Sequence, residues 1–271
     1  MKIPPKMLIV LIAGIAVVVM ILVFVTKLGT LRGPESIAWD AMGKRFLVSN
    51  TLGKNIVSMD PKGKYSPFIG KGLKAPRGII ARANNLFIAD VDQVHIVDLE
   101  KATITASIPV TGAKMLNDIA LDKLGYMYVT DTAVNAIFII NPHNKAVDKI
   151  VSPLLKSPNG IIYDMPRDQM LIVGFTKQSP IISLSTRDKS ISPFMDSIYS
   201  ELDGIAIDDL GRIYFSSWEQ DMIVEIPQEQ NRFVAKFKGI KDAADMIYYL
   251  PNNELIVPLF TKNKIIRISL D

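Results

Sequence analysis

Past residue 33 the chain alternates short apolar runs with turn residues, and it does so in a repeating order. An opening phrase recurs six times: Pro34-Glu35-Ser36-Ile37-Ala38-Trp39-Asp40, Pro76-Arg77-Gly78-Ile79-Ile80, Leu116-Asn117-Asp118-Ile119-Ala120, Pro158-Asn159-Gly160-Ile161-Ile162, Leu202-Asp203-Gly204-Ile205-Ala206 and Ala243-Ala244-Asp245-Met246-Ile247. The second residues of these phrases fall at positions 35, 77, 117, 159, 203 and 244, a spacing of 40–44 residues. Each phrase is followed by a turn such as Met42-Gly43-Lys44 or Asp209-Leu210-Gly211, and then by a second apolar run such as Phe46-Leu47-Val48 or Ile213-Tyr214-Phe215. A third run follows, for example Val94-His95-Ile96-Val97, and in most repeats a weaker fourth, for example Ile104-Thr105-Ala106-Ser107-Ile108. Short β-branched and aromatic runs cut by turn residues are antiparallel strands. Four such strands every 40–45 residues are the blade of a β-propeller. The pattern predicts an all-β fold, a six-bladed propeller of four-stranded blades over residues 28–271. A β-sandwich is the competing architecture, but it does not repeat a four-strand unit six times. The sixth repeat ends at Asp271 after its third strand, so residues near 28–31 are expected to supply its outer strand, because an open edge is a pairing liability.

The segment before the repeats has a different pattern. Met7 to Thr26 is twenty residues without a charge. At 1.5 Å rise per residue, about 20 helical residues cross a hydrocarbon core ~30 Å thick. A secretory apolar region is shorter and ends in a small-x-small cleavage site; this one ends Phe24-Val25-Thr26-Lys27-Leu28-Gly29. The reading is an uncleaved membrane anchor over residues 1–27, with a cleaved signal peptide as the alternative. Lys2 and Lys6 precede the run, and Lys27 and Arg32 follow it, so charge alone sets no orientation. A short head and a large folded tail place the propeller on the extracytoplasmic side, periplasmic or extracellular.

Those four basic residues lie in a stretch with no acid, and they account for the whole net charge of +4. Without them 27 basic residues face 27 acidic ones. A balance of that kind gives no basic face of the sort nucleic acid requires. The chain has no cysteine and two histidines, which removes disulfides, thiolate metal sites and cysteine nucleophiles. His95 and His143 fall away from the repeat positions that face the axis, so structural or solvated roles are expected. No nucleophile elbow, phosphate loop or dinucleotide fingerprint occurs.

The candidate chemistry lies in the repeat register. The innermost strand of each blade lines a propeller's channel, so equivalent positions form a ring. The ring at the second residue of each phrase is Glu35, Arg77, Asn117, Asn159, Asp203 and Ala244. Burying such polar groups costs free energy unless they find partners. Glu35, Asn117, Asn159 and Asp203 offer two carboxylates and two amide oxygens, a donor set suited to a hard cation such as Ca²⁺. The competing reading is a wet channel lined by polar strand ends. Phe175, Trp218 and Phe260 end second strands and are expected to roof the channel mouth as packing.

The motifs Pro34-Glu35-Ser36, Leu116-Asn117-Asp118, Ser157-Pro158-Asn159-Gly160 and Leu202-Asp203-Gly204 resemble those of the senescence-marker-protein/gluconolactonase family of six-bladed propellers. The resemblance runs in order and register from about residue 33 to 271. It implies a single divalent cation held directly by Glu35, Asn159 and Asp203, with Asn117 acting through water or as a substrate contact. It further implies Asp203 as the base in hydrolysis, with Asp118 as the alternative; Asp118 and Asp245 are equally placed to bond strand-end amides. Members that open sugar lactones carry an arginine two residues before the equivalent of Asn117, where this chain has Met115. An apolar lactone or ester is therefore easier to accommodate than a sugar lactone. Arg77 is either a substitute for that arginine or an ion-pair partner of Glu35. Two functions remain: a membrane-tethered, calcium-type-dependent hydrolase of lactones or related esters, and a non-catalytic propeller with a structural cation that binds a ligand or protein partner.

Overall fold

The computed structural model describes residues 30–271. The predicted anchor over 1–27 lies outside the described residues, and among those described no helix is long and apolar enough to cross a membrane. Among the described residues twenty-three strands form six antiparallel sheets. Blade one holds β1 (Pro34–Asp40), β2 (Arg45–Asn50), β3 (Asn55–Met59) and β4 (Tyr65–Ile69); blade two holds β5 (Pro76–Arg82), β6 (Asn85–Asp90), β7 (Gln93–Asp98) and β8 (Thr103–Pro109). Blade three holds β9 (Leu116–Leu121), β10 (Met127–Asp131), β11 (Ala136–Ile140) and β12 (Val147–Val151); blade four holds β13 (Pro158–Asp164), β14 (Gln169–Gly174), β15 (Ile181–Ser185) and β16 (Ile191–Met195). Blade five holds β17 (Leu202–Ile207), β18 (Ile213–Ser217), β19 (Met222–Ile226) and β20 (Val234–Lys238), and blade six holds β21 (Ile247–Tyr249), β22 (Glu254–Leu259) and β23 (Lys264–Ser269). Within each blade, strands pair in chain order.

The alternation of each strand buries one face of a blade against the next, so the core is a set of inter-blade layers rather than one centre. Ala38, Leu47 and Ile56 of blade one pack with Ile79, Leu86, Ile88 and Val97 of blade two. Ile37, Phe46 and Val48 pack with Ile256 and Ile265 of blade six, which closes the circle. Asp245 N–H adds a hydrogen bond to the Glu35 carbonyl across the same seam, at 2.9 Å.

The expected outer strand of blade six is absent among the described residues. Thr30 to Gly33 do not pair with β23. They bind the mouth-side turns instead: the Arg32 carbonyl accepts from Leu52 and Gly53, the Gly33 carbonyl accepts from Thr51, and Gly33 N–H donates to Asn263 Oδ1 at 2.7 Å. Leu31 packs beside the blade-one/blade-six layer. The sixth opening phrase also departs from the pattern. Its strand begins only at Ile247, preceded by one isolated bridge between Ala243 and Leu259. Pro258 is the cause: its carbonyl accepts from Ala244 at 3.0 Å, but it has no N–H to return, so the ladder cannot continue there.

The inner strands all run from one face of the disc to the other. Loops entering them, and turns between second and third strands, lie on the mouth face. Turns between first and second strands lie on the opposite face.

Candidate functional site

Each of the first five inner strands opens with the same irregularity. In blade one Pro34 pairs with Asn50 and Ile37 with Val48, so Glu35 and Ser36 face the single residue Ser49. Arg77-Gly78 stand against Ala89, Asn117-Asp118 against Thr130, Asn159-Gly160 against Val173, and Asp203-Gly204 against Ser216. Such two-against-one bulges bend the strand and re-aim a side chain. Here the first bulge residue of each pair is the ring residue. The bulge also leaves an N–H outside the ladder, and in three blades a hydroxyl opposite collects it. Ser49 Oγ accepts from Ser36 N–H at 2.8 Å, Thr130 Oγ1 from Asp118 N–H at 2.9 Å and Ser216 Oγ from Gly204 N–H at 2.9 Å. Thr130 Oγ1 also donates to the Asn159 carbonyl at 2.6 Å, tying one ring residue to the neighbouring blade. These hydroxyls escaped the reading of the sequence. Their signal was a Ser or Thr 13 or 14 residues after Glu35, Asn117 and Asp203.

Glycine in the second bulge position reflects close blade approach at the axis. A Cβ on Gly160 would lie 2.2 Å from the Asp203 carbonyl oxygen, and one on Gly204 would lie 2.5 Å from that of Ala244. Where this position carries a side chain, it bonds the next blade. Asp118 Oδ2 accepts from Ile161 N–H at 2.7 Å, and Ser36 Oγ accepts from Ile79 N–H at 3.2 Å and donates to Asp245 Oδ2 at 2.5 Å.

Glu35, Asn117, Asn159 and Asp203 converge on one cavity of about 260 Å³ at the mouth, together with Arg77, Met115, Thr132, Phe175, Trp218 and Phe260. Asp118 does not reach it. Its Oδ1 accepts from Ile119 N–H, and its carboxylate faces a second, mostly apolar axial cavity that it shares with Asp245. Both acids take the strand-amide role that the sequence offered as an alternative. Arg77 pairs with Glu35, its Nη1 standing 3.5 Å from Oε1. Met115 is held over the cavity by its N–H to Asp131 Oδ2 at 3.0 Å. Trp218 is fixed by an Nε1–H bond to the Ala243 carbonyl at 2.7 Å and packs edge-on against Phe175, with ring centroids 5.6 Å apart. His95 lies between Asp90 and Ser107 in blade two, outside this cavity.

Glu35, Asn117, Asn159 and Asp203 are 4–5 % exposed. Burial raises Glu35 above the ordinary carboxylate range, against the charge and hydrogen bond of Arg77. Burial raises Asp203 well above its ordinary value, reinforced by the charges of Glu35 and Asp245. Burial also raises Asp118, to about 7, against the N–H groups of Ile161 and Ile119. Three buried oxygens from three blades have no hydrogen-bond partner: Glu35 Oε2, Asn159 Oδ1 and Asp203 Oδ1. Buried polar atoms are almost always satisfied, so three orphans on one cavity require an explanation. Two carboxylate oxygens and an amide oxygen are hard donors that suit a calcium-type ion. Among the described residues no three histidine or carboxylate side chains are grouped to hold a metal, so such an ion would depend on the asparagine oxygens as well.

Solved structures share this architecture. A gluconolactonase from Xanthomonas campestris superposes with a TM-score of 0.75 at 13 % identity, covering 90 % of this chain and 88 % of that one. A virginiamycin B lyase from Staphylococcus aureus gives 0.67 at 15 % identity over 88 % and 80 % of the two chains. A chain of a nidogen/laminin complex gives 0.69 at 14 % over 83 % and 93 %. At such identities the likeness is one of fold, and it spans two enzymes and an assembly protein. A search of the curated protein sequences finds no match. Residues 33–238 match the family described as the SMP-30/Gluconolactonase/LRE-like region, from the first inner strand to the last strand of blade five, and the chain belongs to that family.

Proposed function

We propose that this protein is a hydrolase of lactones or related esters that works with a divalent, calcium-type cation at the propeller mouth and is tethered by residues 7–26 to a membrane, with the propeller on the extracytoplasmic side. The observation that carries the reading is the trio of buried, partnerless oxygens on Glu35, Asn159 and Asp203. Family membership supports the lactone class. The uncharged run from Met7 to Thr26 supports the tether.

In this reading Glu35, Asn159 and Asp203 hold the ion, and Asn117 positions a water or the substrate. The ion's chemistry is to withdraw electron density from the lactone carbonyl and to make a neighbouring water more acidic. Asp203 accepts a proton from the attacking water, and the water oxygen bonds to the carbonyl carbon. The ring C–O bond then breaks, and the departing alkoxide takes the proton back, giving a hydroxy acid from one lactone and one water. Arg77, which lowers Asp203 through its charge, keeps that carboxylate closer to the ionised form the step needs. The aromatic roof limits access of bulk water. Asp118, bonded to two backbone amides, is left to strand positioning.

A panel of lactones and aryl esters assayed with and without EDTA tests this. Turnover that EDTA abolishes and calcium restores is expected. Absence of turnover on the whole panel favours the second reading, a ligand-binding propeller with a structural cation, for which Met115 in place of an arginine speaks.

A further inference from the structure

The mouth face carries an excess of basic side chains. Lys71, Lys114, Lys156, Lys177, Lys241 and Lys262 all stand exposed on its loops, spread around the ring, and blade one adds Arg32 and Lys54. The same loops carry two exposed acids, Asp196 and Glu219, and three partly exposed ones, Asp92, Glu201 and Asp221. Among the described residues none of these eight bases is in an ion pair; the loops' remaining exposed lysine, Lys74, pairs with Asp92. On the opposite face Arg45, Lys123, Arg167, Arg212 and Arg267 pair with Asp40, Asp168, Asp164, Asp208 and Glu254. Exposed bases there in no ion pair among the described residues, such as Lys44, Lys62, Lys64, Lys145 and Arg232, share that face with exposed Glu100, Asp188, Asp209 and Glu229. The neutral balance of the whole propeller therefore conceals one unneutralised basic rim, and that rim surrounds the candidate site.

The chain also enters on this face. Thr30 accepts from Asn50 Nδ2 at 2.9 Å, and a Cβ on Gly33 would touch Phe260, a wall of the site cavity. Thr26, the last residue of the uncharged run, is four residues before Thr30. Four residues reach at most about 14 Å when fully extended. With residues 7–26 across a bilayer, as proposed above, the mouth cannot be far from the lipid surface. That reach lets the exposed lysines come within the ~8 Å over which physiological salt leaves their attraction to anionic headgroups largely unscreened.

We propose that the lysine-rimmed mouth face docks on an anionic lipid surface, so that the candidate site opens toward the membrane rather than toward bulk solvent. The tether sets the distance, and the lysine rim sets the orientation. A substrate dissolved in the lipid then meets the apolar wall of Met115, Phe175 and Trp218 directly.

The test uses the full chain, whose lack of cysteine allows single labels. A fluorophore at Thr111→Cys reports on the mouth face and one at His143→Cys on the opposite face. In nanodiscs containing phosphatidylserine, quenching of the Thr111 label by neutral acrylamide is expected to fall to about half or less of its value in phosphatidylcholine discs. The His143 label stays unchanged. High salt, or the combined Lys114→Glu, Lys156→Glu, Lys177→Glu and Lys241→Glu variant, is expected to remove the difference. Equal quenching on both lipids, or protection of the His143 label instead, overturns the proposal. Flotation separates it from the tether: a chain that fails to float with phosphatidylcholine vesicles has no anchor. Salt-sensitive flotation with phosphatidylserine vesicles then still supports docking, and failure to float with either lipid overturns it. Binding duplex DNA as tightly as anionic vesicles overturns it as well.

Discussion

Arg77 Nη1 stands 3.5 Å from Glu35 Oε1, while the buried Glu35 Oε2 has no partner. The guanidinium therefore satisfies half of the carboxylate and leaves the other half without a partner, as are Asn159 Oδ1 and Asp203 Oδ1 of residues lining the same cavity. The single charge of one guanidinium cannot balance two carboxylates at this depth. The opposite demands of the cation-free and cation-bound states follow from this arrangement.

Glu35→Gln should therefore have a double signature. Without divalent cations it should melt no lower than the parent chain, because it removes a buried charge whose ionisation burial opposes. With calcium it should lose most of the stabilisation the parent gains, which is about 2.7 kcal/mol at a hundredfold excess over Kd. Asp203→Asn should behave alike. Thermal unfolding in EDTA and in calcium checks both; a parent chain whose melting point ignores every divalent cation would refute the site.

Gly160→Ala should damage fold and site together. The new Cβ falls 2.2 Å from the Asp203 carbonyl oxygen, which is backbone and cannot swing aside. Overpacking of this kind costs about 1–3 kcal/mol. Because it moves the strand that carries Asp203, calcium affinity should fall as well. Denaturant unfolding with a calcium titration gives both numbers, and a variant that loses neither would show that the blades are not tightly seated at the axis.

Much of this was legible in the sequence, and the limits have physical causes. The positions of Glu35, Asn117, Asn159 and Asp203 followed from the repeat alone, since equivalent positions in a closed ring must face one axis. The outcome for Asp118 was not legible. It is adjacent to Asn117, but the bulge sends the two side chains to different cavities, and no residue pattern announces a bulge. The closure of blade six was expected from residues 28–31, of which 28 and 29 lie outside the described residues. An open edge predicts a partner strand, yet Thr30 to Gly33 are claimed by the turns bearing Asn50 and Asn263. The basic rim was hidden by charge balance, which counts Asp168 and Asp208 without knowing that they are spent on the other face.

Thr130→Val isolates the bulge hydroxyl. The substitution keeps the shape but strands two buried backbone groups, the Asp118 N–H and the Asn159 carbonyl. Each unsatisfied group costs about 1–3 kcal/mol. A loss of that size in chemical denaturation is expected; near-neutrality would mean that the bulge holds without its hydroxyl.

Acid sensitivity should trace to Asp90. Burial pushes this carboxyl up, but hydrogen bonds from His95 and from the Ala75 and Lys74 N–H groups outweigh burial and hold it below its ordinary value of 3.8. A carboxylate held low in the folded state contributes stability above its unfolded value, and that contribution is lost as pH falls through the folded one. The parent chain should therefore lose melting temperature more steeply below about pH 4 than Asp90→Asn, which starts lower at neutral pH. Parallel melting curves from pH 5 to 3 would contradict this assignment.

Met115 makes the sharpest functional prediction. Its side chain lies on the same cavity as the ring oxygens and faces an aromatic roof, so the space where a charged side chain would receive hydroxyls or a carboxylate is apolar. A polyhydroxylated lactone entering here would exchange its water shell for carbon, and each polar group left unpaired costs about 1–3 kcal/mol. Two such groups amount to roughly a hundredfold or more in kcat/KM. The parent chain should accordingly prefer alkyl or aryl lactones to glucono-lactone by about that factor. Met115→Arg should shrink the preference by at least about tenfold, mainly by improving the sugar lactone. Should the parent and Met115→Arg rank the two lactone classes alike, Met115 does not decide which lactone the mouth accepts.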